Sequence, residues 1–193
     1  MALRAIVGLG NPGPEHAADR HNAGFWFVDA LARSGRVTFH AERKFSGELA
    51  RLALAGQDLL LLKPATYMNR SGQAVQALMA FYKLAPDELL VVHDELDLPP
   101  GTARLKRGGG HGGHNGLRSL HEHIGPDYAR LRIGIGHPGH KDRVHDYVLS
   151  RPTSEQQRAM EHALARARDA LTVLLSDGWD KATQRLHTEA NGN

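Results

Sequence analysis

The stretch "AIVGLGNPGP" (Ala5 to Pro14) spaces Gly8, Gly10 and Gly13 as G-x-G-x-x-G, the pattern by which a strand-to-helix turn admits a dinucleotide pyrophosphate. Two features argue against that chemistry. Pro12 and Pro14 bias Asn11 and Gly13 away from helical angles, so the helix that should receive the phosphates is delayed to about Asn22. The acidic partner, needed about 20 residues on at the end of a second strand, is replaced by Asp29 inside the amphipathic run "GFWFVDALA". A phosphate loop of the form G-x-x-x-x-G-K-[ST] is also missing. What the stretch does offer is Asn11 at the carboxyl end of a first strand, where open α/β sheets place their ligands.

Other polar residues fall at similar places. "RHNAG" puts His21 just before a helix, and "PATYMNRSG" follows a strand and puts Asn69 near a helix start. "VVHDELDLPPG" puts Asp94 just after an apolar strand, and "GGGHGGHNG" delivers Asn115 at a helix opening. Singly, each has a plain structural reading, since asparagine favours caps and turns and histidine is common at surfaces. Gathered at the strand ends of one sheet, they make a candidate site. The chain has no cysteine and no G-x-S-x-G elbow, which removes thiolate metal sites, disulfides and the usual covalent acyl nucleophiles. Thirteen histidines, including "HGGHN" and "IGHPGH", raise a metalloenzyme as a rival; the spacing is loop-like and offers no third ligand in fixed register.

The elements that must position these residues read as an alternation. Strands are expected at Leu3 to Leu9, Gly47 to Leu54, Asp58 to Lys63, Leu89 to His93, Ala103 to Lys106 and Ala129 to Ile135; helices at Ala23 to Arg33, Gly72 to Lys83 and Gly116 to Ile124. Beyond "RPTSEQQ", Ser154 is expected to cap a long helix with Met160, Leu164, Ala167, Leu171 and Leu174 on one face, ending at Asp177 and Gly178. A shorter helix carrying Trp179, Ala182 and Leu186 follows. The fold class is α/β: a single domain over residues 1–193, with a mixed, largely parallel twisted sheet flanked by helices and closed by C-terminal helices. Apolar runs such as "LLLL" at Leu59 to Leu62 are far shorter than the roughly 20 residues of a membrane helix, and the N-terminus lacks a cleavage pattern. The reading is therefore a cytoplasmic protein with no membrane contact.

Charge is uneven. From Arg104 to Arg143 there are eight Lys and Arg against three Asp and Glu, net +5, on a chain whose total is +3. Such a concentration suits a polyanion, because basic side chains release counterions from phosphates.

"GLGNPG", "RHNAG", "KPATYMNRSG", "HDELDLPPG", "GGGHGGHNGLRS" and "RLRIGIGHP" occur in the order and spacing that resemble bacterial-type peptidyl-tRNA hydrolase, from about Leu3 to about Leu149 and more weakly beyond. The resemblance implies a monomeric α/β enzyme without cofactor, metal or obligate protein partner. Its substrate would be peptidyl-tRNA, gripped at the acceptor end and 5′-phosphate, and its reaction the hydrolysis of the peptide-to-ribose ester that recycles prematurely released peptidyl-tRNA. It makes His21 the general base for water, Asp94 its orienting partner, and Asn115 a water or oxyanion ligand. Asn11 and Asn69 would hydrogen-bond the substrate near the ester, and Met68, Tyr67 and Asn22 would serve substrate binding. Arg104 and Arg132 match the 5′-phosphate clamp, with Arg104 standing where relatives commonly have Lys and His16 where they commonly have Tyr. A relative of this fold that binds RNA without hydrolysing it is the alternative, and retention of His21, Asp94 and the three asparagines argues against it.

Overall fold

Leucine- and valine-rich runs with no polar interruption build the centre of the sheet, as strands covered on both faces require. The computed structural model describes residues 2–191, so Met1, Gly192 and Asn193 of the expected 1–193 unit lie outside the described residues. The strands are β1 (Ala5–Gly8), β2 (His40–Glu42), β3 (Gly47–Leu54), β4 (Gln57–Pro64), β5 (Leu89–Glu95), β6 (Ala103–Arg107) and β7 (Ala129–Gly134). They form one sheet in the order β2-β3-β4-β1-β5-β7-β6. β4, β1, β5 and β7 run parallel, while β3, β2 and β6 are antiparallel additions at the edges. This is the expected mixed, mostly parallel sheet flanked by helices.

The helices are α1 (Ala23–Ser34), α2 (Ser71–Tyr82), α3 (Asn115–Ile124), α4 (Val144–Val148), α5 (Ser154–Asp177) and α6 (Trp179–Asn191). One face of the sheet packs Phe27 and Val28 of α1, the Met160, Leu164, Ala167, Leu171 and Leu174 stripe of α5, and Ala182 and Leu186 of α6. The other packs Ala74, Val75 and Leu78 of α2 with Leu117 and Leu120 of α3.

Three local expectations change. The long helix α5 is capped by Thr153, not Ser154: Thr153 Oγ1 accepts the Gln156 N–H at 3.1 Å and Gln156 Oε1 accepts the Thr153 N–H at 3.0 Å, a reciprocal capping box. β2 was not expected, because "HAE" carries no apolar periodicity and is a strand only through its pairing with β3. The short α4 likewise escapes periodicity at five residues.

The motif "GLGNPG" gains a packing explanation. A Cβ on Gly8 would lie 2.4 Å from the Gly24 carbonyl oxygen, and one on Gly24 would lie 2.3 Å from Val92 O and 2.5 Å from Leu9 N. These glycines bring the start of α1 against β1 and β5. The same crossing carries His21 to the sheet.

Candidate active site

α1, which follows β1, and α2, which leads into β5, lie on opposite faces of the sheet, so a crevice opens at the carboxyl ends of the central strands. A cavity of about 690 Å³ occupies it. Of the ten residues expected at the site, Asn11, His21, Tyr67, Met68, Asn69, Asp94, Asn115 and Arg132 line this cavity; Asn22 and Arg104 do not.

The prolines keep the chain after β1 out of helix until Ala23, leaving two short 3₁₀ turns at Pro14–His16 and Arg20–Asn22. His21 sits in the second turn and is buried. Its Nδ1 donates to Asp94 Oδ2 at 2.8 Å, and the other carboxylate oxygen, Oδ1, accepts from His114 Nε2 at 2.8 Å. One buried carboxylate therefore bridges two imidazoles, whose ring centres are 5.0 Å apart. His114 caps α3: its Nδ1 accepts the N–H groups of Gly116 and Leu117 at 3.1 and 3.3 Å. That fixes its proton on Nε2 and leaves it no lone pair for a reactant.

A third imidazole, His93, packs edge-on to His114 at 5.2 Å and donates from Nδ1 to the Asp94 carbonyl at 2.8 Å. Burial, reinforced by neighbouring His114, holds its pKa down at about 3, so it stays neutral. His21 differs. Burial alone would lower its pKa, but the Asp94 charge and hydrogen bond, helped by Asp19, outweigh burial and raise it above the ordinary 6.5. Burial would likewise raise Asp94, yet the imidazoles of His21 and His114 hold its carboxyl well below the usual range, so it is ionised. Among three neighbouring histidines, His21 is the one that combines a free Nε2 lone pair with a raised pKa.

The donor atoms of His21, Asp94 and His114 also lie within 4.8 Å of one another, close enough to hold a cation. Their hydrogen bonds oppose that use: a metal would have to displace both imidazole protons from Asp94 and strip His114 of its two backbone donors.

The amides are tied into the same frame. Asn11 Oδ1 accepts the Met68 N–H at 2.7 Å, joining the loop after β1 to the turn after β4. Asn22 lies behind Asn11: its Oδ1 accepts the Asn11 N–H at 2.9 Å and its Nδ2 donates to the Asn11 carbonyl at 3.0 Å. Asn22 is thus engaged with Asn11's backbone and stands behind the cavity lining. Met68 is buried, whereas Tyr67 is 61% exposed at the rim.

Cationic groups gather toward one side. Lys106, Arg130, Arg132 and Lys141 line the cavity, and antiparallel pairing sets Arg104 opposite Arg132 and Lys106 opposite Arg130 on one face of β6 and β7. Arg132 Nη1 is 3.9 Å from Glu95. Arg104, although outside the lining, is therefore beside a residue that belongs to it. Arg130 is a correction to the charge argument: it is 2% exposed and bonded internally, so it is not part of a solvated positive face. His114 and His93 were missed as site residues. Histidine is not among the usual N-caps, and "HGGHN" signalled only a metal alternative.

These features agree with what the chain is similar to. A family model described as peptidyl-tRNA hydrolase matches residues 5–193. A peptidyl-tRNA hydrolase of Halorhodospira halophila is 56% identical over 186 residues, covering 96% of each chain. One from Neisseria meningitidis is 53% identical over 188 residues, covering 97% of this chain and 98% of the relative. The crystal structure of peptidyl-tRNA hydrolase from Acinetobacter baumannii superposes with a TM-score of 0.93 at 50% identity, covering 95% of this chain and 94% of the other. With a family model matched almost end to end and close relatives aligned over nearly their whole length, the chain belongs to the peptidyl-tRNA hydrolase family.

Proposed function

We propose that this chain hydrolyses peptidyl-tRNA at the ester between the peptide and the terminal ribose, with His21 as general base. The observation that carries the reading is the Asp94 bridge: two imidazoles donate to one ionised carboxylate, and only His21 keeps an Nε2 lone pair for a proton. Water held at Nε2 gives up a proton as its oxygen attacks the ester carbonyl. Asp94 stabilises the imidazolium that forms. Asn11 and Asn69, which line the cavity, hydrogen-bond the substrate near the ester, and Asn115 helps hold the water or meets the carbonyl oxygen as it gains charge. The acyl carbon to ribose oxygen bond then breaks, the imidazolium returns its proton to the ribose oxygen, and free tRNA and a peptide carboxylate leave.

Tyr67 and Met68 form the peptide side of the cavity. Arg132, with Arg104 across the strand pair, grips the 5′-phosphate end of the tRNA, where a guanidinium can bind bidentately. No metal, cofactor or protein partner enters this scheme, and its tRNA substrate places the work in the cytoplasm; among the described residues no helix is long and apolar enough to cross a membrane. The deciding experiment compares N-acetyl-aminoacyl-tRNA with aminoacyl-tRNA bearing a free amine. Release of tRNA from the first alone is expected; binding without release would return the chain to the RNA-binding alternative.

A further inference from the structure

The loop Gly108 to His114 runs from the end of β6 to the cap of α3, and little packs it. Cβ atoms built on Gly110, Gly112 and Gly113 would meet nothing within 4 Å, and Gly108, Gly109, Gly112 and Gly113 all have positive φ. With five glycines and only His111 and His114 to supply side chains, such a loop gains from an anchor elsewhere. Arg130 on β7 provides one. Its Nη1 donates to Gly110 O at 2.6 Å and its Nη2 to Gly109 O at 2.6 Å, with Pro126 O and His121 Nε2 both at 3.2 Å. The guanidinium stacks on Tyr128 at 4.6 Å. A planar fork reaching two successive carbonyls fixes both their separation and their direction.

We propose that Arg130 is a positioning residue for the reaction: it sets the glycine loop at the height that puts His114 onto Asp94 and Asn115 at the cavity. This rests on the reading of His21 and Asp94 as the reacting pair. The path is continuous. Arg130 holds Gly109 and Gly110, the His111 to His114 turn follows (His114 N–H to His111 O, 2.9 Å), and His114 bonds Asp94, which bonds His21. Because both of its terminal nitrogens are already committed to carbonyls, Arg130 differs in role from Arg132 although both line the cavity.

The test is Arg130→Lys, which keeps the charge and loses the fork. kcat should fall about tenfold to a hundredfold, the scale of a displacement near 1 Å, with KM little changed. A second readout does not depend on activity. Imidazole N–H protons bonded to a buried carboxylate exchange slowly enough for proton NMR, and the His114 Nε2–H signal, assigned by its absence in His114→Asn, should broaden or vanish in Arg130→Lys while the His21 Nδ1–H signal persists. Retained kcat with raised KM would make Arg130 a phosphate ligand and overturn the proposal, as would unchanged kinetics and spectra. If Arg130→Lys does not fold, Gly109→Ala decides. Its φ of 109° strains any side chain, so the same loss of kcat and of the His114 signal is expected, and wild-type behaviour would refute the idea. Should His21→Ala remain active, the base assignment fails, but the NMR comparison still reports whether Arg130 places His114.

Discussion

Asp94→Asn tests the bridge most directly, because the amide is the same shape but cannot accept two N–H donors with its two ends. His114 cannot yield: Gly116 N–H and Leu117 N–H occupy its Nδ1, so its proton stays on Nε2 and claims the amide oxygen. The amide NH₂ then faces His21 Nδ1, which must become an acceptor, and the His21 proton moves to Nε2. That is the wrong tautomer for a base. The substitution thus removes both the charge that stabilises the imidazolium and the lone pair that receives the proton, and general-base losses of this kind cost about 10² to 10⁴ in kcat, about 2.7 to 5.4 kcal/mol of transition-state energy. KM should change little, since the buried Asp94 carboxylate has both its oxygens engaged by the two histidines. The pH profile supplies the sign. In the wild type the protonated form of His21 is inactive and its pKa is raised, so activity climbs with pH through a midpoint above 6.5. Without Asp94 the effects left are burial, the larger, which lowers the pKa, and the weaker attraction of Asp19, which raises it, so the residual activity should climb at lower pH. The assay is steady-state release from N-acetyl-aminoacyl-tRNA across pH, with tRNA affinity measured separately. A variant that keeps more than about a tenth of kcat, or whose acid limb moves upward, would refute the argument.

His21→Ala should lose at least about 10² in kcat while retaining tRNA affinity and thermal midpoint; weakened binding with intact turnover would reassign it. Arg104→Ala and Arg132→Ala should each cost about 1 to 3 kcal/mol in kcat/KM and flatten the salt dependence by about one unit of slope. On tRNA lacking its 5′-phosphate the wild type should fall toward the variants, and equal proportional losses there would mean the arginines touch something else. Activity should survive exhaustive EDTA treatment, because the imidazole protons on Asp94 occupy the positions a cation would need; loss on chelation with recovery on zinc would contradict the hydrogen-bond reading. Gly24→Ala should destabilise by about 1 to 3 kcal/mol in urea unfolding, since its Cβ would strike Val92 O and Leu9 N. It should also lower kcat, as α1 cannot move off the sheet without taking His21 with it, and a neutral result would mean the backbone gives way locally.

What the sequence by itself determined is local. Periodicity and turn residues place the strands and helices, and the prolines after β1 delay α1 to Ala23, so His21, Asp94, Asn11, Asn69 and Asn115 fall at element ends where a ligand can be met. The motif order places the chain beside the peptidyl-tRNA hydrolases. Each of these follows from neighbours within a few residues, or from a pattern read along the chain. The tertiary structure decided who touches whom. His21 and Asp94 are 73 residues apart and Asp94 and His114 are 20 apart, and no local period encodes a carboxylate shared between them. Asn22, expected from the resemblance to serve substrate binding, holds Asn11 from behind. Arg130 and Arg132 sit two apart on one strand with the same charge, and only the loop lying over Arg130 separates a buried anchor from a cavity cation. A charge count along the chain cannot tell those two apart, because desolvation and hydrogen bonding depend on what the rest of the fold brings against each side chain.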